Sequence, residues 1–193
     1  MQKILVATTN KGKLREIKEI LVDYELISLD EINCKIDVVE DGTTFKENAL
    51  KKAREISNAA NMSCIADDSG LCIDEFNGWP GVITARCLGK NVTWEEKNRY
   101  ILEKMKDLPK EKRGAKHCVS IAYVDISGKE IVVQAENIGS IAKIPKGENG
   151  FGFDAIFELP DGRTQAELSA EEKNAISSRR KALEMLKEKI KNL

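Results

Sequence analysis

The segment Thr8-Thr9-Asn10-Lys11-Gly12-Lys13 lies between an apolar run and a helical pattern, a position where a chain can hold an anion. Free N–H groups and the helix dipole put positive potential there. Lys13 falls in the first helical turn, where a cation is mildly unfavourable. A bound phosphate would account for it; an ordinary solvated turn with a surface lysine is the other reading. The segment is neither a Walker A loop nor a dinucleotide fingerprint, since G-x-x-x-x-G-K-[ST] and G-x-G-x-x-G are both absent.

Acidic residues supply the second chemistry. Asp67-Asp68-Ser69-Gly70 follows an apolar strand pattern, and two adjacent carboxylates there repel one another. A hard cation would relieve them, and Mg²⁺ takes carboxylates together with substrate phosphates. The alternative is a plain Asx-type turn, and the same pair of readings holds for Glu40-Asp41-Gly42. Lys52 sits about 60° from the centre of an apolar helix face, where a lysine usually snorkels to water.

Two further groups stand out. Gly147 to Asp154 is glycine-dense and polar yet contains Phe151 and Phe153. One of these rings is expected in the core, and a planar ligand could stack on the other. Near the C-terminus, Ile176, Leu183, Leu186, Ile190 and Leu193 define an apolar stripe, and Arg179 points into its middle. A buried guanidinium requires partners, either an internal carboxylate or a ligand's acceptors. Lys173 flanks the same face. His117 reads as a strand histidine satisfied by its neighbours, and Trp79 and Trp94 as anchors of a turn and a helix.

These groups need elements to carry them. Lys3 to Thr8 reads as a buried strand, Thr9 to Gly12 as a turn, and the segment after it to about Val22 as a helix with Leu14, Ile17, Ile20 and Leu21 on one face. A short strand lies near Leu26. Thr44 with Glu47, Thr93 with Glu96, and Ser169 with Glu172 are capping boxes. They predict helices to about Asn61, to about Asp107 and to the C-terminus. Ser63 to Ala66, Ala115–Asp125 and Lys129–Glu136 read as strands, the last two joined at Ser127-Gly128. Further strands are expected at Gly139 to Ile144 and near Asp154–Phe157. The fold class is α/β: a mixed, elongated sheet with flanking helices, as one domain over residues 1–193 with two lobes around a central substrate cleft.

Composition bounds the partners. Thirty-one Lys and Arg against thirty-two Asp and Glu in 193 residues exclude a basic surface for a nucleic-acid polymer. Local sorting of charge still leaves room for one triphosphate. Five cysteines without a C-x-x-C pair, and a single histidine, argue against a zinc site or a disulfide framework. No run approaches a membrane span, and the N-terminus does not read as a signal peptide, which points to a reducing cytoplasm.

Taken in order, the motifs resemble one family, the inosine triphosphate pyrophosphatases that act on the non-standard purine nucleotides dITP, ITP and XTP. The matching stretches are Thr8 to Lys13, Thr44-Phe45-x-Glu47-Asn48-Ala49, Ala66 to Leu71, Pro80-Gly81, Ala85-Arg86, Gly150 to Asp154, and Ala166 to Ser177. The resemblance implies that Thr8, Thr9, Asn10, Lys11, Gly12 and Lys13, with Lys52, hold a triphosphate. It implies that Glu40 and Asp68 bind Mg²⁺, that Asp68 also accepts a proton, and that Ser69 touches substrate. Phe151, Gly152, Phe153, Asp154, Lys173, Ser178 and Arg179 match base-recognition positions. Ser178 departs from the histidine many bacterial members carry there. The implied activity is hydrolysis of a nucleoside triphosphate to monophosphate and pyrophosphate by a homodimer. A nucleotide sensor without catalysis, or a pyrophosphatase for modified pyrimidine nucleotides, are the alternatives.

Overall fold

The computed structural model describes residues 2–89 and 91–192. Its six-stranded sheet has the order β2-β1-β3-β4-β5-β6. In chain order the elements are β1 (Lys3–Val6), α1 (Lys11–Ile20), β2 (Glu25–Ser28), α2 (Phe45–Ala60), β3 (Cys64–Ile73), α3 (Trp94–Lys104), β4 (Gly114–Val124), β5 (Glu130–Ile141), β6 (Phe157–Glu158), α4 (Ala170–Ile176) and α5 (Ser178–Ile190). β1 runs parallel to both β2 and β3, and β6 runs antiparallel to β5, so the sheet is mixed as expected.

The chain divides into two compact units. The first comprises Met1–Asp68, Val119–Ala135 and Ser178–Leu193; the second comprises Ser69–Cys118 and Glu136–Ser177. β3 and β4 each carry residues of both, as does β5.

The first unit explains its own apolar pattern. Ile4 and Val6 face a core built with Ile17 of α1 and Leu183 and Leu186 of α5. Leu5 and Ala7 face the opposite core, with Ala49, Ala53 and Ile56 of α2. A strand covered on both faces is apolar at every position, hence the unbroken run Ile4 to Ala7. Each fully buried aliphatic side chain contributes about 1.5–3 kcal/mol of transfer free energy. The second unit packs Leu71, Ile73, Ile101, Met105, Phe153, Phe157 and Leu168 into a separate core. Arg113 is buried beside it and donates to the carbonyls of Met105, Ile141 and Ala142, tying the end of α3 to the end of β5.

All three expected capping boxes are present, at Thr44/Glu47, Thr93/Glu96 and Ser169/Glu172. Four boundaries differ from expectation. Asp67-Asp68-Ser69-Gly70 is not a turn but the middle of β3, which runs unbroken from Cys64 to Ile73. β5 continues through Gly139 to Ile141 and absorbs the further strand expected there. The last strand is only Phe157–Glu158. The C-terminal helix is two helices: Ser177 is extended (φ −65°, ψ 146°) and breaks the pattern after Ile176. Leu193, the last residue of the expected stripe, lies outside the described residues.

Candidate active site

In the first unit five segments deliver charge to one place. Asn10 caps α1, its side chain accepting from Gly12 N (2.9 Å) and Lys13 N (3.1 Å). Two of the amides that could face an anion are thus already satisfied, and of the two lysines in that turn Lys13 reaches a buried carboxylate. Its ammonium lies 3.0 Å from Asp67 Oδ2. Lys52, from α2, does not snorkel to water. Its side chain is 16% exposed, pairs with Glu40 and donates to the Asp67 carbonyl at 2.9 Å. Acidic partners on distant segments turn it inward, which a count of helical angles cannot register.

Asp67 and Asp68 are adjacent on β3, where side chains alternate between faces, and their environments diverge. Burial pushes the Asp67 carboxyl up, but Lys13, Arg179 and Lys52 outweigh it and hold it well below its ordinary range. Asp68 is pushed up to about 6. Burial is the chief cause; the Asn48 hydrogen bond opposes it and the nearby Glu40 charge adds to it. Two neighbouring carboxylates with separated pKa values are the arrangement that assigns one to structure and the other to proton transfer.

Arg179 is buried, as its place in the stripe requires, and its partners are internal carboxylates. It pairs with Glu16 of α1 and, at 3.2 Å, with Asp67 Oδ2. Burial disfavours its charge, but Asp67 and Glu16 restore it and raise its pKa. The neighbouring Ser178 is buried too.

The second unit holds the glycine loop. Phe153 is in the core, edge-on to Trp94 at 5.2 Å, while Phe151 is half-buried under the Lys173 ammonium, 4.4 Å from the ring centroid. Asp154 organises the loop: Oδ2 accepts from Phe151 N (2.7 Å) and pairs with Lys173 (2.8 Å). A Cβ at Gly150 (φ +80°) would run into the Asp154 carboxylate, so only glycine fits. His117 stacks on Phe157 with centroids 4.3 Å apart, a neighbour-satisfied strand histidine.

The Ham1 family model matches residues 4–189. The chain belongs to the Ham1 family. It is 43% identical to the dITP/XTP pyrophosphatase of Mycobacteroides abscessus, over 99% of this chain and 96% of that protein. It is 40% identical to the dITP/XTP pyrophosphatase of Escherichia coli K12 over the full length of both. Among solved structures, a HAM1 protein from Coxiella burnetii superposes with a TM-score of 0.90 at 38% identity, covering all of both chains. The family expected from the motifs and the family found agree.

Two residues of this Ham1-family site carried no assigned role in the sequence pattern, Glu16 and Asn48, although Asn48 lies in a matching stretch. Both are polar positions on otherwise apolar helix faces, beside Ile17 and Ala49 respectively, and that was the available signal. Asn48 is fully buried; its Oδ1 accepts from Gly42 N (2.7 Å) and its Nδ2 donates to Asp68 Oδ2 (3.0 Å).

The donor set fits a hard divalent cation. Glu40 and Asp68 repel one another, and the buried Asp67 Oδ1 accepts no hydrogen bond among the described residues. No group of three or more His, Cys, Asp or Glu is disposed around a metal position among those residues. Two carboxylates suit Mg²⁺, which completes its shell with water and phosphate oxygens. No helix among the described residues is long and apolar enough to cross a membrane.

Proposed function

We propose that this chain hydrolyses deaminated purine nucleoside triphosphates, dITP, ITP and XTP, to the monophosphate and pyrophosphate. The observation that carries the reading is the meeting of Lys13 and Lys52 with Glu40, Asp67 and Asp68, where the Asp68 carboxyl is pushed up to about 6. The names of its relatives support the substrate class.

Asp68 takes a proton from the water that attacks the α-phosphorus; burial and the nearby Glu40 charge raise its proton affinity in the metal-free protein, as suits a general base. Asn48 holds Asp68 Oδ2, which fixes the direction of the carboxylate. Lys13 and Lys52 leave their carboxylate partners for the phosphates and stabilise charge on the departing pyrophosphate. Asp67, held ionised by Lys13, Arg179 and Lys52, keeps Lys13 on station before substrate arrives. Glu40 and Asp68 would hold Mg²⁺, which supplies charge neutralisation at phosphate oxygens when bound. The Thr8 to Lys13 turn and Ser69 contact the phosphate chain.

Base selection falls to Phe151, Gly152, Phe153, Asp154 and Lys173, with Ser178 adding a small hydroxyl. The Lys173 ammonium donates to the 6-oxo group of hypoxanthine or xanthine, where adenine presents a donor instead. A polar group left unpaired costs ~1–3 kcal/mol, enough for a preference. The 2-amino group of guanine finds no partner. Family resemblance further supports a homodimer serving the nucleotide pool of the cytoplasm.

The test is release of pyrophosphate from ITP, dITP and XTP with Mg²⁺, against ATP and GTP. Equal rates on all, or orthophosphate as first product, would contradict the reading. Binding without turnover would favour a nucleotide sensor.

A further inference from the structure

Five free cysteines lie outside every role assigned above. Cys64 and Cys87 are buried and unreactive by environment: burial pushes both thiols up, that of Cys64 to about 12. Cys72 and Cys118 differ. They occupy β3 and β4, neighbours in the sheet, and both belong to the second unit. The Cys118 thiol donates to Cys72 Sγ across 3.8 Å. That hydrogen bond holds the half-buried Cys72 thiol below its usual range and raises that of buried Cys118. One sulfur is thus the better nucleophile and reachable, and the other stands behind it as a resolving thiol.

We propose that Cys72 and Cys118 form a dithiol oxidation site, closed to an intramolecular disulfide by a two-electron oxidant of the peroxide class. The Cys72 thiolate attacks one oxygen of hydrogen peroxide. The O–O bond breaks, hydroxide leaves and takes up the thiol proton as water, and Cys72 becomes a sulfenic acid. Cys118 Sγ then attacks the Cys72 sulfur. The S–S bond forms, the S–O bond breaks, and the departing hydroxide carries off the Cys118 proton as a second water. Two thiols and one peroxide give one disulfide and two waters. The sulfurs need to close from 3.8 Å to about 2.05 Å, a distance within reach of side-chain rotation. The bond would fasten to β4 the strand that carries Asp67 and Asp68 in its first half.

The competing pair is Cys34 and Cys64, which share an apolar cluster in the first unit. The reduced full-length protein is treated with equimolar hydrogen peroxide, denatured, counted for thiols, weighed intact and peptide-mapped. The count falls from five to three, the mass drops by two hydrogens, one linked peptide joins Cys72 to Cys118, and dithiothreitol restores all five thiols. Cys72→Ser keeps its four thiols at the same dose, while Cys118→Ser forms no intramolecular link and stops at a Cys72 sulfenic acid that dimedone traps; the wild-type map stands alone if either variant fails to fold. A count that stays at five, added oxygen on Cys72 with Cys118 still reduced, or a Cys34–Cys64 link would each overturn the proposal. None of these readings depends on nucleotide hydrolysis.

Discussion

Asn48 Nδ2 donates to Asp68 Oδ2 at 3.0 Å while Asn48 Oδ1 accepts the Gly42 amide at 2.7 Å. The second bond decides the first: an amide oxygen must face Gly42 N–H, so the amide nitrogen must face Asp68. One buried side chain therefore fixes the loop that carries Glu40 and the carboxylate proposed as base. Asn48→Ala leaves the half-buried Gly42 amide without its acceptor and Asp68 without its donor. The expected loss is about 1–3 kcal/mol in denaturant unfolding, together with a fall in kcat larger than any change in KM. Gly42→Ala reports the same coupling from the other side. Its Cβ would lie 2.6 Å from Asn48 Oδ1, so turnover falls although no ligand group is removed.

Asp68→Asn separates catalysis from stability. Turnover is expected to drop by a factor on the order of 10²–10⁴, the usual worth of a positioned base. Stability of the metal-free protein should move the other way. The folded value of about 6 lies above the ordinary 3.8, so this group's contribution to stability is full below about 4 and is lost as pH rises through about 6. Asn does not titrate. The variant should therefore match wild type below pH ~4 and exceed it by about 2–3 kcal/mol above pH ~6. Urea melts across that range check the crossover, and a constant difference would contradict it.

Glu16 and Asp67 share the buried Arg179 guanidinium. Glu16→Ala leaves it the Asp67 carboxylate and should cost about 1.5–3 kcal/mol, the worth of a hydrogen bond to a charged group. Arg179→Met takes a cation from both buried carboxylates and should cost more, about 3–5 kcal/mol. A double-mutant cycle read by thermal unfolding measures the coupling.

Lys173 caps Phe151 and pairs with Asp154 in the glycine loop. If its ammonium reads the 6-oxo group, Lys173→Met should lower the preference for XTP over ATP by about 10–100-fold, the worth of ~1–3 kcal/mol. The rate ratio, and not the rate alone, is the readout.

Much of this arrangement was legible in the residues because local rules govern it. The three capping boxes mark helix starts, and the apolar stripe turns Arg179 inward. What escaped depends on partners far along the chain. Lys52 at the edge of an apolar face looks solvent-bound until Glu40 and the Asp67 carbonyl are set beside it. Asp67-Asp68-Ser69-Gly70 has turn chemistry, yet Lys13 and Arg179 neutralise Asp67 and let the strand continue. The break at Ser177 carries neither Gly nor Pro, so helical periodicity ran straight through it.

The central claim is tested most directly by pyrophosphate release from a panel of ITP, dITP, XTP, GTP and ATP at neutral pH with Mg²⁺. The account predicts pyrophosphate as first product, fastest from the hypoxanthine and xanthine nucleotides, and lost in Asp68→Asn. Equal rates across the panel, orthophosphate as first product, or full turnover in Asp68→Asn would contradict it.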